Sequence, residues 1–255
     1  METQQTPPYN LGWLPDLPDQ RDIMYAAPMA VMLQLPTSAD LRNQCPPVYD
    51  QGHLGSCTAN GLAAAYEFDL KKQNKTDFMP SRLFIYYNER VLLNTVNSDS
   101  GAYIRDGIKT MNQQGVCPEN DWAYDIGKFT VKPPAKCYTE AKKCQIKSYQ
   151  RLINSLNQLK GCIAEGFPFV FGFTVYESFM TPEVAKTGIM PMPQQGEKTI
   201  GGHCVTAVGY DDSKNAFILR NSWGTGWGIK GYFYMPYAYI ANSSLCDDFW
   251  TVRLV

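Results

Sequence analysis

The chain has 255 residues, of which 44% are hydrophobic, 18% are charged and 17 are prolines; this length and balance suit a folded globular protein with a well-buried core and exclude a disordered or fibrous one. Its 23 basic and 24 acidic side chains are scattered to a net charge of −1, which leaves no electrostatic footprint for nucleic acid or an anionic membrane. The longest mostly apolar stretch, residues 167–175, falls far below the roughly 20 residues of a membrane-spanning helix and reads as a buried strand.

Residues 1–34 carry five prolines and no sustained apolar period, so they are expected to be an extension with little regular structure. The opening Glu2-Thr3-Gln4-Gln5-Thr6-Pro7-Pro8 lacks the basic and apolar regions of a signal peptide, which points to a cytoplasmic protein. Ordered folding is expected to begin near Leu35-Pro36. After a loop with Pro46-Pro47 comes Gln51-Gly52-His53-Leu54-Gly55-Ser56-Cys57 and the start of a helix. Ser56 is its predicted N-cap, Ala59, Leu62, Ala63, Tyr66 and Leu70 give the helical period, and Lys71-Lys72 suit the negative end of the dipole. Cys57 is thereby placed in the first turn.

Further helices are predicted over 81–93, 103–114 and 152–161, and strands over 167–175, 202–210, 216–221 and 231–235. Helices in the first half (about 45–140) and strands in the second (about 141–245) indicate an α+β fold with a cleft between a helical and a mainly antiparallel β subdomain. The eight cysteines, at 45, 57, 117, 137, 144, 162, 204 and 246, contain no Cys-x-x-Cys pair. Neither a metal nor a cofactor is expected, and most of the thiols read as small buried residues of a reducing compartment.

Chemistry concentrates in three places. A thiol in the first turn of a helix meets backbone N–H groups and the positive end of the dipole, which favour the nucleophilic thiolate. A thiolate acting on an amide needs a proton partner, and the chain offers only His53 and His203. His203, on a predicted strand rather than in a glycine-flanked loop, is the better platform for fixed geometry. The strands before and after the turn 211–215 read as a hairpin. The midpoint of His203 and Asn221 falls at Asp212, inside that turn, so the two are predicted to be cross-strand neighbours, with the amide orienting the imidazole. Trp223, two residues on, is expected to cover that bond. Gln51 is a candidate donor to a developing oxyanion together with the Cys57 backbone N–H.

Together Gln51 to Cys57, Gly202-His203, Tyr210 and Asn221-Ser222-Trp223-Gly224 resemble the papain-like cysteine peptidases. His203 lies within, and Asn221 slightly beyond, the roughly 130 to 150 residues by which these partners follow the cysteine in that family. The resemblance runs from about Leu35 to Tyr239. It implies a papain-like domain over 35–255 and a thiol endopeptidase acting on peptide or protein substrates, with Cys57 as nucleophile, His203 as proton partner, Asn221 as orienter and Gln51 at the oxyanion. Gly55, Ser100, Gly101, Gly172, Gly202 and Trp223 become substrate-binding residues, with Gly172 on the wall of the pocket for the substrate's second residue. Leu54 and Thr58 depart from the family, which usually has a disulfide cysteine and an aromatic there, and Cys204 replaces a small residue. Alternatives on the same fold are acyl transfer to an amine and an inactive peptide-binding protein. The proline-held residues 1–34 are too short for the family's helical prodomain; they are expected to lie across the cleft in cis, the other options being a strap packed elsewhere or a free tail.

Overall fold

In the computed structural model, which describes residues 9–254, helices precede strands along the chain much as their patterns suggest. The elements are β1 (Trp13–Leu14), α1 (Met29–Leu33), β2 (Ser38–Asp40), α2 (Cys57–Lys72), α3 (Arg82–Leu93), β3 (Ala102–Tyr103), α4 (Ile104–Gln113), α5 (Ala135–Ala141), β4 (Ser148–Arg151), α6 (Leu156–Ala164), β5 (Phe169–Tyr176), α7 (Pro182–Thr187), β6 (Thr199–Asp211), β7 (Ala216–Arg220), β8 (Tyr232–Pro236), α8 (Tyr237–Ile240) and β9 (Cys246–Arg253). Pro7 and Pro8 of the extension lie outside the described residues.

Local signals account for several boundaries. The Ser81 hydroxyl accepts the Phe84 N–H at 3.1 Å and caps α3, which ends at Asn94 in the left-handed region, φ 62°. Every residue of α2 from Cys57 to Leu70 is buried, so this alanine-rich helix is a central rod rather than an amphipathic surface helix. α6 starts later than its periodicity suggests because the Leu152 N–H still donates to the Phe249 carbonyl at 2.8 Å, extending the sheet edge. The extension also holds more structure than its prolines suggest: β1, a bridge from Met24 to Arg151, and the single turn of α1 opened by Pro28.

Six strands form the main sheet in the order β4-β9-β5-β6-β7-β8, with β2 added beside β6 and every pair antiparallel. Phe169, Phe171 and Phe173 do not alternate between core and surface. They share one face and pack into an aromatic core with Phe179, Phe217 and Phe249, while Val170 between them is buried against the α2 side. The sheet is therefore covered on both faces. A second core joins α2, α3 and α4 through Leu62, Leu83, Ile85 and Ile108. The N-terminal end of α2 sits where the two cores meet. No described helix is long and apolar enough to cross a membrane.

Candidate active site

The loop before α2 makes a sharp turn at Gly52, φ 57°. Ser56 occupies the N-cap position as expected, but its hydroxyl does not cap the helix; it pairs with the Tyr124 hydroxyl at 2.5 Å. Asn60 reinforces the turn from within, donating Nδ2 to the Ser56 carbonyl at 2.9 Å. Thr58 donates to Glu89 at 2.8 Å, and burial pushes that carboxyl well above the usual carboxylate range. Cys57 thus sits in a first turn held from three sides.

His203 and Asn221 come together, though not by the predicted register. The loop 212–215 is a 3-10 turn closed by Asn215 in the left-handed region, φ 49°. Pairing therefore resumes at Asp211 with Ala216, and a bulge between Ala207 and Gly209 brings Thr206 opposite Arg220. The partner of His203 across the sheet is Phe173, on β5, and Asn221 lies just past the end of β7. The side chains nevertheless meet, with the His203 Nε2–H donating to Asn221 Oδ1 at 2.8 Å. An amide oxygen can only accept, which fixes the tautomer and leaves the lone pair on Nδ1, an atom with no hydrogen-bond partner. Trp223 stacks on the imidazole at 4.8 Å, as expected, and Phe173 meets it edge-on at 5.7 Å. Cys204 points the other way along the strand, against Gly61 of α2.

Residues 9–13 run over these groups. Tyr9 stacks on Trp223 at 4.7 Å, nearly parallel, and its hydroxyl donates to the Trp223 carbonyl. Gln51 holds its Nε2–H groups toward the carbonyls of Asn10, 3.0 Å, and Leu54, 2.9 Å, while its Oε1 accepts from Ser222. Gly12 lies so close to Gly55 that an added Cβ would sit 1.8 Å from the Gly55 carbonyl oxygen; a Cβ on Gly101 would come 2.2 Å from that of Gly12. The Gly12 carbonyl accepts the Ala102 N–H, and β1 pairs in parallel with β3. Trp13 rests against Gly172 and Gly202. Ser100 is set apart: its hydroxyl pairs with Thr95 and turns back on its own loop. The side chain of His53 is exposed and only its carbonyl is engaged, by Asn10.

The following turn anchors the segment to the domain. Asp248 Oδ2 accepts Trp13 Nε1–H at 3.0 Å and the Asp16 N–H at 2.7 Å, and Asp16 accepts from Trp250. Arg105 forks onto Asp22, Arg151 bridges Asp22, Asp247 and Asp248, and Tyr25 donates to Glu165. Sequence reasoning missed Asp99, which accepts the Gly55 N–H and Asn10, and Asp248. The second left a trace: Asp247-Asp248 is an acidic pair directly before the apolar Phe249-Trp250 of the terminal strand.

This covering sets the electrostatics. The N–H groups of Cys204, Gly12 and Thr58 point at the Cys57 sulfur and favour thiolate, but burial outweighs them and pushes the thiol up to about 12. Burial likewise depresses His203 to about 4 against the help of Asn221. Both groups are neutral near pH 7 while covered. Among the described residues no group of three or more His, Cys, Asp or Glu side chains is gathered to hold a metal.

The family model described as "Papain family cysteine protease" matches residues 35–247. An uncharacterized peptidase C1-like protein of Acanthamoeba polyphaga mimivirus is 45% identical over 96% of this chain and 87% of its own length. Cysteine proteinase 1 of Entamoeba histolytica is 30% identical over 80% of this chain and 64% of its own. Among solved structures, Xylellain, a cysteine protease from Xylella fastidiosa, superposes with a TM-score of 0.91 at 45% identity, covering 96% of both chains. The fold, the thiol at the head of α2 and the imidazole beside an asparagine agree with these matches: the chain belongs to the papain family of cysteine proteases.

Proposed function

We propose that the chain is a cysteine endopeptidase, with residues 35–255 as the catalytic domain and 1–34 as an extension whose residues 9–14 fill the substrate cleft in cis. The observation that carries the reading is the His203–Asn221 hydrogen bond, which leaves Nδ1 bare on the side chain nearest in kind to a proton relay. In the reaction Cys57 gives its proton to His203 Nδ1, and the resulting thiolate attacks the substrate carbonyl carbon. The oxyanion takes hydrogen bonds from the Cys57 backbone N–H and Gln51 Nε2, and collapse of the tetrahedral species expels the amine with a proton from His203 Nδ1. Water, giving its proton to His203, then cleaves the acyl thioester. The Asn10 carbonyl on Gln51 stands where a substrate carbonyl would go.

A peptidyl epoxide tests this directly. Intact mass and peptide mapping should place one adduct per chain on Cys57, at a rate that rises when the segment is loosened; labelling elsewhere, or none, would sink the reading. Asn221→Ala removes an orienter rather than a reacting group and is expected to lower kcat by about 10- to 100-fold.

The anchor gives the cover a pH dependence. Burial, with the charge of Asp248 beside it, pushes Asp16 up to about 7, whereas an undocked aspartate ionises near 3.8. The docked segment therefore holds a proton that the free one releases, so docking is favoured in acid and weakens as pH rises toward 7. His203 pulls the opposite way, because uncovering lets it take up a proton that burial denies it. Comparison with Asp16→Asn isolates the first effect. At pH 8 epoxide labelling of Asp16→Asn should be several-fold slower than that of the unaltered chain, the gap should narrow as pH falls below 7, and the two rates should meet only near pH 4, where the undocked aspartate also holds its proton; identical profiles would remove Asp16 from the latch.

A further inference from the structure

We propose that Asp248 determines specificity. Once the N-terminal segment lifts away, its carboxylate receives a donor-bearing aromatic side chain of the substrate, tryptophan above all, in the slot that Trp13 fills. This deepens the peptidase reading above and rests on it.

The slot is shaped by what its walls lack. A Cβ added to Gly172 would fall 1.9 Å from Cε2 of Trp13, and one added to Gly202 would fall 2.7 Å from Cε3. The indole lies between two bare stretches of backbone, a space suited to a flat ring. Because β1 runs beside Ala102, next to Gly101, a chain lying along that strand directs its side chain inward here. Gly202 adjoins His203, so the slot opens onto the reacting groups.

At the inner end is the fully buried Asp248, holding Trp13 Nε1–H at 3.0 Å. It is aimed there by a bulge in β9: Gly172 faces Asp247 and Val170 faces Trp250, which leaves an extra residue on β9. Asp248 takes φ 59° within that bulge, a conformation that aspartate and asparagine tolerate better than most residues.

The two oxygens of Asp248 have different fates. Oδ1 accepts from Arg151, which belongs to the domain, at 3.1 Å. Both donors to Oδ2, Trp13 Nε1–H and the Asp16 N–H, belong to the segment. Lifting the segment leaves the charge balanced but strips Oδ2 of its donors, and a buried acceptor without a donor is costly. A substrate side chain that restores an N–H regains that cost. Since Arg151 already answers the charge, the slot calls for a hydrogen-bond donor rather than a cation, and an indole supplies both the ring and the donor.

The test uses the full chain carrying Tyr9→Ala and Trp13→Ala, which empties the slot without shortening the protein. Two peptides differ only at the second residue before the cut, one with tryptophan and one with naphthylalanine, a similar double ring with no donor. The tryptophan peptide is expected to be cut with kcat/KM about 10- to 100-fold higher. Adding Asp248→Asn, which keeps a residue at ease with that φ, is expected to reduce this ratio at least about fivefold. Equal cleavage of the two peptides overturns the inference even if Asp248→Asn fails to fold, and so does a ratio that Asp248→Asn leaves unchanged. Either result, with Cys57 still labelled by the epoxide and peptides still cut, leaves the peptidase reading standing. An unlabelled Cys57 with neither peptide cut overturns both.

Discussion

Cys57→Ala is expected to abolish peptide hydrolysis and epoxide labelling, with a loss of at least about 1,000-fold in kcat, and His203→Ala to lose nearly as much. His53→Ala should keep most of the activity. The contrast follows from where the two histidines sit. His203 is fully buried, bonded to Asn221, sandwiched by Trp223 and Phe173, and has one nitrogen free for a proton. His53 exposes its ring and uses only its carbonyl. Removing one sulfur from Cys57 disturbs little packing, so that variant should also keep its thermal midpoint. His203→Ala opens a cavity under Trp223, and its midpoint should fall by a few degrees. An inactive His53→Ala beside an active His203→Ala would show that the wrong imidazole has been named.

Loosening the segment should have the opposite effect on reactivity. In the full chain, Tyr9→Ala with Trp13→Ala removes the stack on Trp223 and the ring between Gly172 and Gly202. A buried tryptophan truncated to alanine costs about 3 to 5 kcal/mol, and a stacked aromatic pair adds about 0.5 to 1.5. Even a fraction of that sum, drawn from docking, raises the uncovered population at least about tenfold, and the labelling rate of Cys57 should rise with it. Uncovering also returns water to the thiol and the imidazole, releasing the burial that holds them at about 12 and about 4. The thermal midpoint should drop as well, because Trp13 is a core residue and Tyr9 packs against the core. A lowered midpoint with unchanged labelling would mean that the segment is only a structural strap.

Much of the site could be read from the sequence because its signals are local. A cysteine after Gly55-Ser56 at the head of an alanine-rich period fixes the helix of the proposed nucleophile, and a histidine and an asparagine flanking one turn bring the proposed base and orienter within reach. What failed was finer. The turn at 212–215 spends a residue in the left-handed region and β6 bulges, so the predicted pairing slipped, yet long side chains closed the gap. The Ser56 hydroxyl found a tyrosine instead of its own helix. Ser100, expected to bind substrate, turns its hydroxyl to its own loop. Least legible was the anchoring of the extension. Trp13 and Asp248 are 235 positions apart, and a carboxylate reads the same in sequence whether it is solvated or receives a buried indole. The glycines at 55, 101, 172 and 202 read in sequence as substrate-binding positions, Gly172 as a pocket wall, but nothing local says that the chain itself packs against them.

In the proposed arrangement the anchors around Asp16, Asp22 and Tyr25 place the cover on a tether. An attached occupant acts at an effective concentration set by its linker, of the order of millimolar for a short flexible one, and is indifferent to dilution of the protein. A free peptide competing for the cleft must overcome that local concentration however scarce the enzyme is. Leu17 and Ile23 are 73% and 64% exposed on the stretch that joins Trp13 to Tyr25. A single backbone cut there would turn a unimolecular equilibrium into a bimolecular one, and dilution alone would then favour release of the fragment.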